Sequence, residues 1–202
     1  MSKLSIAIKT CWQYADRRQA QLDTWLKEVN SDFFFVIGGP EPTGDDFLYL
    51  RGLSDSFENI APKVVGAVEY ALQDNVTNLL VCDDDTYLSY ARLLKLNFKR
   101  FDYLGFVRSY DVVPYMQGSC FMLNERGMER LLKHKDLMVN GVPDDVALGR
   151  CLYGEVPFTH EHRFAVGETY PEPNRWVRPE NDIIACHKMT PAQMRACHEL
   201  WK

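Results

Sequence analysis

Apolar residues along the chain fall into two patterns, short continuous runs and longer stretches with helical spacing. The short runs have the length and composition of buried strands. They predict strands at residues 4–8, 33–37, 47–50, 78–82, 103–107, 119–123 and 182–186. Between them, apolar positions three or four residues apart predict helices. These lie at residues 16–28, 56–72, 91–98, 125–134 and 143–152, with a last helix capped by Thr190.

Strands that alternate with helices predict an α/β sandwich, in which a central, mostly parallel sheet is flanked by helices. In such sheets, ligands bind outside the carboxyl ends of the strands. The run 78–82 leads directly into three aspartates, so the predicted ligand-binding edge is acidic. The length of 202 residues, without a repeat or a long linker, predicts a single domain over residues 1–202.

Composition and charge favour a globular protein and argue against nucleic-acid-binding and membrane-spanning classes. Hydrophobic residues make up 46% and charged residues 25%, which suits a globular protein with a real core. A formal net charge of -5 argues against a broad nucleic-acid-binding face. No stretch resembles a signal peptide or a transmembrane helix, and the first apolar run, interrupted by Lys9, is interpreted as a strand. The six cysteines lack metal-type spacing and favour reduced thiols in the cytoplasm.

Asp83, Asp84 and Asp85 form the clearest chemical signal in the sequence. Three adjacent carboxylates repel one another, and burial against an apolar strand increases that repulsion. A divalent cation relieves it, and Mg2+ or Mn2+ prefers oxygen ligands and phosphate. Alternate residues of an extended chain share a side, so we expect Asp83 and Asp85 to act together. The alternative is a solvated loop in which Asp84 caps the next helix.

Three further polar residues are candidates, each with two interpretations. Asp144 and Asp145 follow Pro143 at a predicted helix start. They either stabilise the helix N-terminus or supply a general base for an acceptor hydroxyl. His187 follows the last predicted strand and is either an ordinary histidine or a metal ligand.

Six sequence blocks, in order, resemble a known family of enzymes. They are IAIKT (6–10) with Arg17-Arg18 and LDTWL (22–26), DSFENI (55–60) with Lys63, LVCDDDTY (80–87), GSCFML (118–123), PDDVALG (143–149) and IACHKM (184–189). The order is similar to that of glycosyltransferases of the fringe and β-1,3-galactosyltransferase type, glycosyltransferase family 31. This resemblance implies the GT-A fold, a Rossmann-like sandwich with a mostly parallel mixed sheet.

The chain also departs from that family. Cys120 stands where the family usually has glycine or another small residue, and Asp144 replaces a common glutamate in the manner of fringe enzymes. The membrane anchor, stem and secretory disulfide pattern of animal relatives are not evident. We therefore expect a cytoplasmic enzyme, of a microbe or of a virus-infected host cell.

The resemblance implies an inverting transfer of a sugar from a nucleotide diphosphate, with UDP as the expected nucleotide, to an acceptor hydroxyl. Mn2+ or Mg2+ would be held by Asp85 and Asp83, with His187 completing the protein ligands. Asp84 is expected to contact the ribose or the donor sugar. Asp145 is the expected general base, with Asp144 the close second. The acceptor is a glycan, a protein or another molecule that bears a hydroxyl.

Donor binding is assigned to residues around the first strand. Thr10 ends that strand, and Arg17 and Arg18 are candidate partners for a phosphate because guanidinium pairs well with planar oxygen clusters. The alternative for both arginines is a solvated helix start. Asp55 and Lys63 frame the donor pocket through the resemblance. Trp176 lies in a proline-rich loop and is either a platform for a sugar ring or a hydrophobic plug.

Two other functions remain open at this stage. One is a catalytically inactive module that binds carbohydrate or nucleotide sugar, although a binder has no need of a general base. The other is a metal-dependent phosphotransferase or nuclease that uses the aspartate triplet. It would leave Asp144, Asp145 and His187 without a role.

Overall fold

The computed structural model describes residues 3–41, 44, 46–110, 113–165 and 182–201, so Trp176 and its loop lie outside the described residues. The first elements are β1 (Leu4–Lys9), α1 (Ala15–Asp23), β2 (Asp32–Ile37), β3 (Phe47–Tyr49), α2 (Ile60–Gln73) and β4 (Asn78–Asp83). The middle of the chain forms β5 (Tyr87–Leu88), α3 (Tyr90–Lys95), β6 (Tyr103–Tyr110), β7 (Val113–Asn124) and α4 (Glu125–Lys133). The last elements are α5 (Asp144–Leu152), β8 (Phe158–His160), β9 (Phe164–Ala165), β10 (Ala185–Cys186) and α6 (Pro191–Trp201).

The main sheet has seven strands in the order β3-β2-β1-β4-β7-β6-β8. Strands β3, β2, β1 and β4 pair in parallel, and so do β6 and β8. Strand β7 runs antiparallel to both of its neighbours. The predicted α/β fold with a mostly parallel mixed sheet is therefore confirmed.

Helices cover both faces of the sheet. One apolar cluster contains Ala20 of α1, Leu93 of α3 and Met194 of α6. The other contains side chains of α2, α4 and α5, such as Val64 and Leu148. Strand residues alternate between the two clusters, because successive side chains of a strand point to opposite faces.

A second, three-stranded sheet, β5-β10-β9, brings the end of the chain back to the aspartates. Strand β10 pairs antiparallel with β5, and the Met189 N–H donates to the Asp85 carbonyl at 2.9 Å. The strand predicted at 182–186 is thus reduced to Ala185–Cys186. Its short length suffices to set His187 beside the aspartates.

The helix predicted at 91–98 is shorter in the structure, where α3 ends at Lys95, and two other predicted helices also start or end differently. The helix predicted at 16–28 ends at Asp23, and a 3-10 helix, Trp25–Glu28, follows. Thr24 separates them with a non-helical ψ of -114°, while its hydroxyl donates to the Ala20 carbonyl at 2.6 Å. The helix predicted at 56–72 begins with a 3-10 turn and becomes an α-helix at Ile60.

Among the described residues, no helix combines the length and the apolar character needed to cross a membrane.

Candidate active site

The carboxyl ends of β1 and β4 form the edge of the sheet at which the predicted site residues meet. The two strands are parallel neighbours, and Lys9 lies opposite Asp83 in the register. Thr10, which follows β1, therefore lies beside Asp84 and Asp85, which follow β4. A cleft of about 300 Å³ opens here, and its lining includes Tyr14, Arg17, Asp55, Phe57, Lys63 and Asp85.

Asp83, Asp85 and His187 form a three-residue cluster at this edge, with potential ligand atoms that all lie within 4.8 Å of one another. His187 Nε2 lies 3.1 Å from Asp85 Oδ1 and 3.4 Å from Asp83 Oδ2. Burial lowers the pKa of His187, but the hydrogen bonds and charges of the two carboxylates outweigh it and raise that pKa to about 9. Without a bound cation, the two carboxylates therefore favour the protonated form of His187.

The cluster fits a hard divalent cation. Two carboxylates and one imidazole give an oxygen-rich donor set with a net negative charge, which suits Mn2+ or Mg2+. In addition, Asp85 Oδ1 is buried and, apart from the His187 ring 3.1 Å away, has no polar partner among the described residues. A bound cation would provide a partner for this oxygen once the histidine has lost its proton.

Asp84 faces away from this cluster, as the strand alternation predicts. Its carboxylate is buried and accepts hydrogen bonds from Thr10 Oγ1 at 2.7 Å and from Arg17 Nη1 at 3.0 Å. Burial raises the pKa of Asp84 to about 6, although both hydrogen bonds act to lower it. The expected contact of Asp84 with ribose or donor sugar remains a prediction, since both of its oxygens already have protein partners.

Arg17 and Arg18, both candidates from the sequence, occupy different surroundings. Arg17 lines the cleft, packs over the Tyr14 ring at 4.1 Å and lies 3.5 Å from Asp85 Oδ2. Arg18 is buried and donates to Thr10 Oγ1 at 3.1 Å and to the carbonyl of Cys11. Arg17 is therefore the arginine available to a ligand, whereas Arg18 fixes the turn between β1 and α1.

Asp55 and Lys63 also line the cleft, where they form an ion pair. Lys63 Nζ donates to Asp55 Oδ1 at 2.6 Å and to the Thr10 carbonyl at 2.6 Å. Asp55 also accepts the backbone N–H of Trp12. Together the two side chains hold the segment after β1 in place, and they form a charged part of the cleft lining.

Lys9 connects Asp83 with Asp144, the first residue of the second acidic pair, Asp144 and Asp145. Lys9 Nζ lies 2.9 Å from Asp83 Oδ1, forms an ion pair with Asp144 Oδ2 and donates to the Gly118 carbonyl at 2.9 Å. Burial opposes the charged ammonium, yet the charges of Asp144 and Asp83 outweigh burial and raise the pKa of Lys9. Burial raises the pKa of Asp83, but Lys9 and His187 together outweigh burial and lower the pKa of that carboxyl.

This lysine was not among the site residues predicted from the sequence, where it only interrupts an apolar strand. A charged residue within a buried strand needs partners, and that requirement was the available signal. The identity of the partners was not available, because Asp144 lies 135 residues further along the chain.

Asp144 and Asp145 begin helix α5 and contact strand β7 at Gly118. Asp145 Oδ2 accepts the Gly118 N–H at 3.2 Å, and Oδ1 accepts the Val146 N–H at 2.8 Å. Burial and the neighbouring charges of Asp83 and Asp145 raise the pKa of Asp144 against the lowering effect of Lys9. Asp144 is thus buried and paired, while Asp145 is only half-buried.

Comparisons by sequence find neither a matching family model nor a matching curated protein. Comparisons by structure find glycosyltransferases. One, involved in the glycosylation of the major capsid of PBCV-1, shares 12% identity at a TM-score of 0.62, with 98% of this chain and 99% of that one covered.

Two other solved glycosyltransferases are also similar. The galactosyltransferase LgtC, in complex with donor and acceptor sugar analogues, has a TM-score of 0.52 at 12% identity, over 98% of this chain and 95% of that one. GlyE of Streptococcus pneumoniae TIGR4 has a TM-score of 0.55 at 12% identity, over 94% of this chain but 55% of GlyE. The chain therefore shares its fold with glycosyltransferases of the GT-A type.

Proposed function

We propose that the protein is a metal-dependent glycosyltransferase that moves a sugar from a nucleotide diphosphate, UDP in the first instance, to an acceptor hydroxyl. The observation that carries the proposal is the meeting of two acidic groups at one sheet edge. The triad of Asp83, Asp85 and His187 fits a cation, and Lys9 links it to the Asp144-Asp145 pair. The fold, shared with glycosyltransferases, supports the same activity.

The cluster of Asp83, Asp85 and His187 would hold Mn2+ or Mg2+. When bound, such a cation stabilises the negative charge that grows on a departing diphosphate. Asp83 and Asp85 offer carboxylate oxygens and His187 offers a ring nitrogen, once the histidine has lost its proton. Competition between a proton and the cation for His187 follows from this arrangement.

The cleft beside the triad suits a nucleoside diphosphate. Arg17 presents a guanidinium, which pairs with phosphate oxygens through two parallel N–H groups. Tyr14, Phe57 and Ile60 add an apolar part to the lining, and the Phe57 side chain is 69% exposed. Charged groups for the diphosphate and an apolar surface for the nucleoside are thus present in one cleft.

Asp145 is the proposed general base. The carboxylate of its neighbour Asp144 is paired with Lys9, whereas Asp145 receives only backbone N–H groups. Each Asp145 oxygen keeps a lone pair, and the side chain is half-buried rather than buried. A base on the acceptor side implies direct displacement with inversion at the anomeric carbon.

We further propose the fringe and β-1,3-galactosyltransferase type, because the sequence blocks that resemble it supply the residues around this cleft. The proposed compartment is the cytoplasm. All six cysteines are free and five of them are buried, which suits a reducing environment.

Thermal stability with donors tests the proposed binding. A ligand that binds only the native protein raises its apparent stability. We expect Mn2+ together with UDP to raise the melting temperature more than either alone, and a panel of UDP-sugars to identify the donor. The variant Asp85→Asn should lose the increment that depends on Mn2+, while the exposed Asp136→Asn should keep it. An unchanged increment in Asp85→Asn would show that the cation does not bind at the triad.

Turnover separates an enzyme from a binding module. With the donor from that panel and p-nitrophenyl glycosides as acceptors, Asp145→Asn should bind donor normally but transfer sugar about 10²- to 10⁴-fold more slowly. Asp136→Asn again serves as the control. Retention of the anomeric configuration in the product would refute the inverting mechanism. Donor binding by the wild-type protein without any turnover would instead support an inactive binding module.

A further inference from the structure

Lys9 makes an unusual set of contacts for a residue at the end of a central strand. Its side chain is 2% exposed, and its three partners are Asp83, Asp144 and the carbonyl of Gly118. An ammonium group has three N–H donors, so these partners use its whole capacity. Although Lys9 lies at the cleft, no donor group of its ammonium remains for a ligand.

The fold does not require a charge at this position. Ala7, two residues earlier on the same face of β1, packs in the apolar cluster formed with α2, α4 and α5. Taking a lysine and two carboxylates out of water is unfavourable, and apolar replacements of buried ion pairs are often neutral or stabilising. The charged group is therefore better explained by the site than by stability.

The partners of Lys9 belong to the two halves of the proposed reaction. Asp83 belongs to the cation-binding triad at the end of β4. Asp144 begins α5, the helix that also carries Asp145. Gly118 connects the two a second time, because its carbonyl accepts from Lys9 while its N–H donates to Asp145. The ammonium group of Lys9 thus fixes the distance between Asp83, which would serve the cation and the leaving diphosphate, and the start of α5, which carries Asp145.

We infer that Lys9 is a positioning residue, which holds the start of α5 at a set distance from the Asp83 side of the cleft and so aims Asp145 at the acceptor hydroxyl. This inference rests on the proposed function. Lys9 acts through Asp83, Asp144 and Gly118 and does not touch the substrates. Its removal should therefore change the rate of transfer rather than the affinity for the donor.

The variant Lys9→Met tests this role. A misplacement of about 1 Å in a reacting geometry costs about 100-fold in rate. We expect kcat for transfer to the p-nitrophenyl glycoside to fall by about that factor, while the Kd for UDP with Mn2+ stays within about threefold. Lys3→Met, at the other end of β1, is the matched control and should leave both values unchanged.

A double variant keeps the test valid if Lys9→Met folds poorly. In Lys9→Met with Asp144→Asn, the buried carboxylate that has no other counter-charge is removed, while Asp83 keeps His187, so stability should recover. Because Asp144 is itself a candidate base, the reference is the single variant Asp144→Asn. If Lys9 positions α5, transfer by the stable double variant stays slower than transfer by Asp144→Asn. Equal transfer by these two variants would overturn the inference and leave Lys9 a structural role.

Two other results would also overturn it. A Kd for UDP with Mn2+ that rises in proportion to the loss of kcat would mean that Lys9 serves the donor or the cation directly. A kcat equal to that of the wild type in folded Lys9→Met would mean that it positions nothing. Failure of the proposed function is separate, because the wild-type protein would then neither bind UDP with Mn2+ nor transfer sugar.

Discussion

The two ends of strand β1 carry the same set of charges in different surroundings. Just before the strand, Lys3 forms ion pairs with Asp32 and Asp74, and its side chain is 36% exposed. At the end of the strand, Lys9 forms ion pairs with Asp83 and Asp144 and is 2% exposed. Each lysine therefore joins two aspartates that are distant in sequence.

The ion pairs of Lys3 and those of Lys9 contribute differently to stability, because the first are solvated and the second are buried. Water stabilises the charges around Lys3 whether or not they are paired, so their ion pairs contribute little to stability. Around Lys9, each charge depends on its partners, because burial has removed the water that would replace them. Substitution of Lys3 should therefore have little effect on stability, whereas substitution of Lys9 should destabilise the buried aspartates that pair with it.

The largest expected difference between the two ends is in stability. Lys9→Met leaves Asp144 buried without its counter-charge, and the free energy of unfolding should fall by about 3–5 kcal/mol. Lys3→Met should change it little, since its partners are exposed. Urea denaturation of both variants measures the difference. Equal stability of the two variants would contradict the contrast between the two ends.

The buried end should also respond to pH. In the metal-free protein, the pKa of His187 is about 9, above its ordinary value of 6.5. Its protonation therefore stabilises the fold fully below pH 6.5, and this contribution, about 3 kcal/mol, is lost as the pH rises from 6.5 to 9. Denaturation across this range in EDTA should show the loss.

Two histidine variants and the addition of Mn2+ test whether His187 causes this pH dependence. His187→Gln should remove most of the pH dependence, whereas His162→Gln, an exposed histidine, should not. Added Mn2+ should also flatten the profile, because a bound cation replaces the proton on His187. Persistence of the full pH dependence in His187→Gln would assign it to another group.

A smaller effect is expected where α5 meets β7. A Cβ added to Gly118 would lie 3.0 Å from Asp144 Oδ1 and 3.2 Å from the Asp145 Cβ. Gly118→Ala must displace the start of α5, and such overpacking costs about 1–3 kcal/mol. Urea denaturation gives the cost, and hydrogen exchange at residues 144–149 reports the displacement. Exchange rates unchanged from the wild type would show that the helix does not depend on this close approach.

The smallest effect is expected at the exposed end. Asp32 is 67% exposed, so Asp32→Asn should leave the urea midpoint unchanged at both low and high salt. A salt-dependent loss of stability would indicate that the ion pairs of Lys3 matter more than their exposure implies.

Most of the fold could be predicted because its signals are local. Apolar runs such as residues 33–37 and the helical spacing around α2 are properties of neighbouring residues. The boundaries were less predictable. The end of α1 depends on the conformation of Thr24, and the length of β10 depends on its pairing with β5 and β9.

The site could be predicted only in part. The Asp83–Asp85 group lies at the end of a buried strand, and the resemblance chose between the two interpretations of His187, Asp144 and Asp145. Contacts between distant segments gave no local signal. The link from Lys9 to Asp144, and the different surroundings of Arg17 and Arg18, follow only from the packing of the sheet.

The three-residue cluster draws on both sheets, since Asp83 ends β4 of the large sheet, Asp85 follows it, and His187 follows β10 of the small sheet. The third ligand of the proposed enzyme is therefore made about a hundred residues after the second. A polypeptide that terminated between Asp85 and His187 would carry both aspartates yet lack the histidine, so it could not form the complete cation site.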